Sequence, residues 1–258
     1  MKILVTGACG TIGLAVTEKL VSANHEVIGY DRVGSELPDG ASLIEGDVRD
    51  FAHLKEAARG CEAGIHLAAV ADGATVSDIL SINALGAYGF LAAAKEAGFR
   101  RTIIAGSAPV HLPTSDRDNS FPPPSDGGDH VYDLSKALQE VIASDFRSHG
   151  LAVLCLRFGH IVRGEEESNL EGSLALKNEH YCRGGWVALE DIAEACLAGL
   201  ALQPSEDALE ILNIVGAKGA RERFRVTAAE NRLGITLQYD FAAYEPAEPA
   251  ESESRQSR

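Results

Sequence analysis

Tyr132 and Lys136 stand four residues apart in Tyr132-Asp133-Leu134-Ser135-Lys136. On a helix that spacing puts both side chains on one face. A phenol has a pKa of about 10 and is a poor base at neutral pH. An ammonium beside it stabilises the phenolate and lowers that pKa, so the pair can take or return the proton of a hydroxyl group. Ser107 follows the apolar run Arg101–Ala105 and ends a strand, a place where its hydroxyl can hold the same substrate oxygen.

A second group of residues lies at the start of the chain. Thr6-Gly7-Ala8-Cys9-Gly10-Thr11-Ile12-Gly13 reads T-G-x-x-G-x-x-G, between an apolar run at Lys2–Thr6 and helical spacing over Thr11–Ala23. One glycine permits the tight turn, one lets backbone approach a pyrophosphate, and one lets the helix pack close to the sheet. The helix N-terminus then turns its free N–H groups toward the anion. Asp31 follows Gly13 by eighteen residues at the end of the second strand, where a carboxylate can bind ribose hydroxyls. Gly7, Gly10, Thr11, Ile12, Gly13 and Asp31 are therefore read as a dinucleotide site. Asp31 favours NAD because it would repel a 2′-phosphate; Arg32 beside it is the competing signal for NADP. With a nicotinamide next to Tyr132, hydride moves as the substrate proton moves. Cys9, inside the turn, is read as a small residue filling a tight spot.

The elements that position these residues alternate. Strands are expected at Lys2–Thr6, Glu26–Tyr30, Ser42–Glu45, Ala63–Leu67, Arg101–Ala105, Ala152–Phe158, Trp186–Leu189 and Glu210–Val215. Helices are expected at Thr11–Ala23, Asp50–Arg59, Ser77–Ala97, Tyr132–His149, Glu190–Leu202 and near Ala220–Leu233. Strands that are continuously apolar and alternate with helices imply an α/β fold, a doubly wound parallel sheet covered on both faces. Pro109–Asp129 and Gly164–Gly185 are polar interruptions, read as long binding loops. The Pro-, Glu- and Ser-rich tail 245–258 is expected to be disordered.

The chain has 258 residues, 45% apolar and 24% charged, with a net charge of −15. That composition supports a large core. An acidic chain without a basic run lacks the footprint of a nucleic-acid binder or of attraction to an anionic membrane. No apolar run is read as approaching the ~20 residues of a membrane span, and the N-terminus carries no secretory pattern. Five scattered cysteines without a CxxC fit free thiols in a cytoplasmic protein, not a disulfide framework or a metal site.

These motifs resemble the extended short-chain dehydrogenase/reductases, the group of NAD-dependent epimerases and dehydratases. The likeness runs over about residues 1–215. It rests on TGACGTIG, Gly46–Asp50 (GDVRD), His66–Ala69 (HLAA), Asn83 with Gly86, GSAPV with Ser107, YDLSK, and Trp186–Ala195 (WVALEDIAEA). The resemblance implies a Rossmann fold with NAD as cofactor and Ser107, Tyr132 and Lys136 as catalytic residues. It implies that Asp47 and Val48 line the adenine, and that Leu67, Ala68 and Ala69 pass the ribose and pyrophosphate. Lys136 would also bind the nicotinamide ribose, and Asn83 would steady the loops around the cofactor. A homodimer through the two long helices is usual for the family.

His66 is read as a packed strand-end histidine and Trp186 as core. The lesser alternative for Asp47 is that it simply caps a turn before the helix at Asp50. His111, His160 and Arg183 are candidate substrate contacts. The expected domain is 1–244, with a small substrate lobe built from 164–185 and 217–244. Such a lobe favours a small hydroxyl or carbonyl substrate, a sugar or sugar acid, over a bulky nucleotide sugar. In size the chain is similar to the uronate dehydrogenases. It departs from them in having Ser107-Ala108-Pro109 where they carry Ser-Asn-His, His160 where they carry Ser, and Asn169 near the position of their carboxylate-binding Arg. An epimerase or dehydratase with tightly held NAD is the alternative, and a non-catalytic NAD sensor of the same fold is a further one.

Overall fold

The structure is a computed structural model that describes residues 1–71, 74–108, 110, 130–162, 185–203 and 209–242. Strands β1 (Lys2–Thr6), β2 (Glu26–Asp31), β3 (Ala41–Glu45), β4 (Ala63–His66), β5 (Arg101–Ser107), β6 (Val153–Phe158) and β9 (Glu210–Ile214) form one sheet. Its order is β3-β2-β1-β4-β5-β6-β9, and every neighbouring pair is parallel. The strand order turns back between β1 and β4. In such sheets the crevice at the carboxyl ends of those two strands is where ligands sit. The sheet is Rossmann-like, as its β-α alternation required.

Successive side chains of a strand point to opposite faces, and the core divides accordingly. Ile3, Val5, Val27, Ile65, Ile103 and Leu156 pack with α1 (Thr11–Ser22) and α5 (Leu189–Ala201) on one face. Leu4, Ile28, Ile104, Val153 and Cys155 pack with α2 (Phe51–Ala58), α3 (Val76–Ala97) and α4 (His130–Ser148) on the other. Burying both faces is why these strands read as unbroken apolar runs. Each fully buried Ile or Leu contributes about 1.5–3 kcal/mol.

Local signals set the helix ends. Asp50 caps α2 by accepting from the His53 N–H at 3.1 Å, and Thr75 caps α3 by accepting from the Asp78 N–H at 3.1 Å. Both are side-chain oxygens meeting N–H groups that a first turn leaves without partners.

Several details differ from the sequence reading. Helix α3 is long and apolar enough to cross a membrane by length and composition, which corrects the expectation that no such run exists. Here it is a core helix: Phe90, Leu91, Ala93 and Ala94 are buried against the sheet. Its segment Leu80–Leu85 is π-helical, a one-residue excess that apolar periodicity does not reveal. Strand β7 (His160–Val162) was not expected. It pairs in parallel with β8 (Trp186–Ala188), too short for a periodic signal and with its partner far along the chain. The stretch near Ala220–Leu233 is divided. A 3₁₀ turn at Lys218–Ala220 and α6 (Val226–Leu233) are separated by a turn over 221–225, whose last residue, Arg225, has φ +50°. Residues 217–242 pack into the α1/α5 core through Phe224, Val226, Leu237 and Phe241, and Trp186 meets Phe241 edge-on at 5.8 Å.

Candidate functional site

The glycine turn joins β1 to α1 and is built by close backbone approach. Gly7 has φ +71°, and a Cβ there would lie 2.7 Å from the Ala68 nitrogen. A Cβ on Gly13 would lie 2.0 Å from the Gly7 carbonyl oxygen, so α1 starts as close to the turn as backbone allows. Gly10 is the N-cap, with no side-chain cap and no acid in the first turn. The first N–H groups of α1 are thus left to an anion. The Asp31 carboxylate braces the turn, accepting from the Cys9 N–H at 2.9 Å and the Val33 N–H at 3.2 Å.

Beside the turn lies a cavity of about 390 Å³. Of the residues read from sequence, Gly7, Gly10, Asp31, Arg32, Asp47, Val48, Leu67, Ala68 and Ala69 line it. Sequence reasoning missed Tyr30, Val33, Ser35, Gly46, Val70 and Ile82, which line it too; nothing in their type separates them from ordinary core or loop residues. Apolar walls, a brace carboxylate and an uncapped helix N-terminus together fit a dinucleotide. Cys9 lines this cavity and also a groove of about 700 Å³ between α1 and α5, where Thr11 lies.

Asp47 combines both of its readings. Its carboxylate accepts from the Arg49 N–H at 2.9 Å, from Arg49 Nε at 2.9 Å and from Arg49 NH2 at 2.6 Å, which makes a tight turn before α2. The Arg49 side-chain bonds hold it below the usual carboxylate range. Arg49 also reaches Asp78 at the start of α3 at 3.3 Å. The Tyr30 hydroxyl donates to the Asp47 carbonyl at 3.0 Å, and burial pushes that phenol up to about 12.

Asn83 is fully buried in the π-helical segment. Its Oδ1 accepts from the Val70 N–H at 2.8 Å, and its Nδ2 donates to the Val70 carbonyl and to Ser135 Oγ, both at 2.9 Å. Ser135 Oγ in turn donates to the Tyr132 carbonyl at 2.7 Å. An unbroken chain of hydrogen bonds therefore joins the cavity wall at Val70 to the helical turn that carries Tyr132.

Lys136 lies 4% exposed on α4, with Nζ donating to the Ala105 carbonyl at 3.0 Å and standing 5.8 Å from the centre of the Tyr132 ring. Burial lowers its pKa to about 8, against the raising influence of Cys155 and Glu140. It is still mostly charged at neutral pH, as the support of a phenolate requires. Ser107 is buried at the end of β5, opposite Phe158. His66 ends β4, stacks on Phe90 at 5.0 Å and shares a 2.7 Å hydrogen bond between Nδ1 and Thr6 Oγ1. Burial, aided by the Lys136 charge, depresses it to about 3, so it is a neutral packed histidine.

His160 begins β7, partly exposed, with its N–H donating to the Gly185 carbonyl at 2.9 Å. His111 and Arg183 lie outside the described residues, as do most of both long loops and the tail 245–258.

Comparison with known proteins bears on this geometry. The model of the NAD dependent epimerase/dehydratase family matches residues 3–174. UDP-glucose 4-epimerase of Streptomyces lividans is 24% identical to the chain, over 96% of this chain and 86% of that protein. The structure of MoeE5 in complex with UDP-glucuronic acid and NAD superposes with a TM-score of 0.72 at 21% identity, covering 92% of this chain and 94% of that one. A mutated uronate dehydrogenase superposes with a TM-score of 0.72 at 22% identity, covering 94% and 83%.

Proposed function

Since this chain belongs to the NAD-dependent epimerase/dehydratase family and is an NAD-dependent enzyme of the short-chain dehydrogenase/reductase type, we propose that it oxidises or reduces a small hydroxyl or carbonyl compound, a sugar or sugar acid, with Tyr132 as acid and base. The observation that supports this reading is the hydrogen-bond chain Val70–Asn83–Ser135–Tyr132, which ties the cavity wall to the backbone of the helical turn that carries Tyr132. NAD, when bound, supplies the hydride acceptor. The turn Gly7–Gly13 and Asp31 would hold its adenosine diphosphate half, with Asp47, Val48 and Leu67–Ala69 along the walls. The Tyr132 oxygen takes the proton of the substrate hydroxyl as the carbon is oxidised and returns it in the reverse direction. Lys136 keeps the phenolate favourable through its charge. Ser107, at the strand end, donates a hydrogen bond to the same substrate oxygen. Asp31 favours NAD over NADP, since a 2′-phosphate would meet its carboxylate.

A second reading, an epimerase that keeps its reduced cofactor, draws support from the epimerase likeness over 96% of the chain. NADH formation and substrate interconversion by the purified chain with NAD and a panel of free uronates, aldoses, polyols and nucleotide sugars separate the two. Net NADH release with one substrate class supports the dehydrogenase. Interconversion of a nucleotide sugar without NADH release supports the epimerase.

The same reading includes a second copy of the chain. Val76, Leu85 and Tyr88 on α3 and Leu134 and Val141 on α4 are large apolar side chains that are 44–58% exposed. A face of this kind on two adjacent helices fits a dimer contact.

A further inference from the structure

Behind Tyr132 the same helix face carries two more ionisable groups. Tyr132, Lys136 and Glu140 succeed one another at four-residue steps along α4. Glu140 is 1% exposed and is clasped by Arg157 of β6, also 1% exposed: Nε donates to Oε1 at 2.7 Å and NH2 to Oε2 at 2.6 Å. The Cys155 thiol faces the same carboxylate at 3.8 Å. Gly106 on β5 makes room for this arrangement, since a Cβ there would lie 2.9 Å from Arg157 Cγ.

A buried ion pair is a weak source of stability, because desolvation of both charges offsets their attraction and apolar residues of similar volume do as well. Its presence here calls for another role, and its location supplies one. The groups that face Lys136 are Tyr132 and Glu140 from its own helix, Cys155 from β6, His66 from β4 and the Ala105 carbonyl from β5, with Arg157 bound to the carboxylate of Glu140. His66 is neutral and the thiol is held protonated by burial. Among these groups Glu140 supplies the negative charge.

We propose that Glu140, locked in place by Arg157, is a positioning residue that holds Lys136 charged and seated at the Ala105 carbonyl, and so sets the proton affinity of Tyr132. The proposal rests on the reading of Tyr132 as acid and base. Glu140 raises the proton affinity of Lys136 while burial lowers it, so removing the carboxylate drives the lysine further toward its neutral form. Glu140→Gln alone would leave the Arg157 charge buried without its partner, a change that can unfold the chain. The paired variant E140Q/R157M removes both charges and keeps the volume filled.

The test is the titration of Lys136 itself in the full chain. Lysine carrying ¹³C at Cε is followed by NMR from about pH 6 to about pH 11, with the Lys136 signal assigned from Lys136→Arg. The parent midpoint is expected at about 8. In E140Q/R157M it should fall, by the excess of the lost Glu140 attraction over the lost repulsion of the more distant Arg157, and in E140D, which keeps the carboxylate, it should stay near the parent value. The basic limb of the pH profile for NADH formation should move the same way. An unmoved Lys136 midpoint in a folded E140Q/R157M chain overturns the proposal. If no substrate is turned over, the catalytic reading loses its support, while the Lys136 midpoint still decides the role of Glu140.

Discussion

The buried His66 should make the fold sensitive to mild acid. Its folded-state pKa is held at about 3 against an ordinary value of 6.5. A group with a depressed folded pKa contributes stability that is complete above its unfolded pKa and is lost as pH falls toward the folded one. The window here runs from about pH 6.5 down to about pH 3. At pH 5 the unfolded chain has taken up the proton and the folded chain has not, a gap of about 1.5 pH units, worth about 2 kcal/mol. In a chain of this size that lowers the melting temperature by roughly 4–8 °C. His66→Asn keeps a polar atom for Thr6 Oγ1 but cannot be protonated. It should be less stable than the parent at pH 7, because the stack on Phe90 is lost, yet lose about 2 kcal/mol less between pH 7 and pH 5. Melting followed by circular dichroism at both pH values measures the difference. Equal losses in parent and variant would refute the linkage.

Gly13→Ala places a methyl group against the Gly7 carbonyl, which must move by a large fraction of its 2.0 Å separation; the strain should weaken NAD binding by about tenfold to a hundredfold in calorimetric titration. Asn83→Leu strips partners from Val70 and Ser135; it should cost about 3 kcal/mol and lower the melting temperature by roughly 6–12 °C. Leu134→Glu, at an exposed apolar position of α4, should abolish the proposed dimer contact, read as a lower mass in sedimentation equilibrium; equal masses for parent and variant would refute it.

The parts of the site visible in the sequence were those that need a particular residue type. Only glycine fits at Gly7 and Gly13, and only a short acid at Asp31 can reach the N–H groups of the turn. The sheet was legible because strands buried on both faces must be continuously apolar. Residues that serve by shape were not visible: Val33, Val70 and Ile82 line the cavity yet look like any core or loop residue. Contacts between distant segments were hidden as well. Glu140 and Arg157 lie seventeen positions apart, with nothing in the sequence to join them. The π-helical turn that aims Asn83 at Val70 breaks the period on which helix reading depends. Helix α3 was legible at Ser77–Ala97, but not that it is apolar enough by composition to cross a membrane, because its Ala and Gly residues dilute the appearance of an unbroken hydrophobic run.

The proposed function has Tyr132 move the substrate proton while the glycine-turn cavity holds NAD. Its most direct test is Tyr132→Phe, with NADH formation and NAD binding both measured on the substrate that the panel identifies. The expected result is turnover lost and NAD affinity retained, since Phe keeps the ring beside Lys136 and removes only the hydroxyl. Turnover at the parent rate in Tyr132→Phe, or failure of the parent chain to bind NAD, would contradict the account.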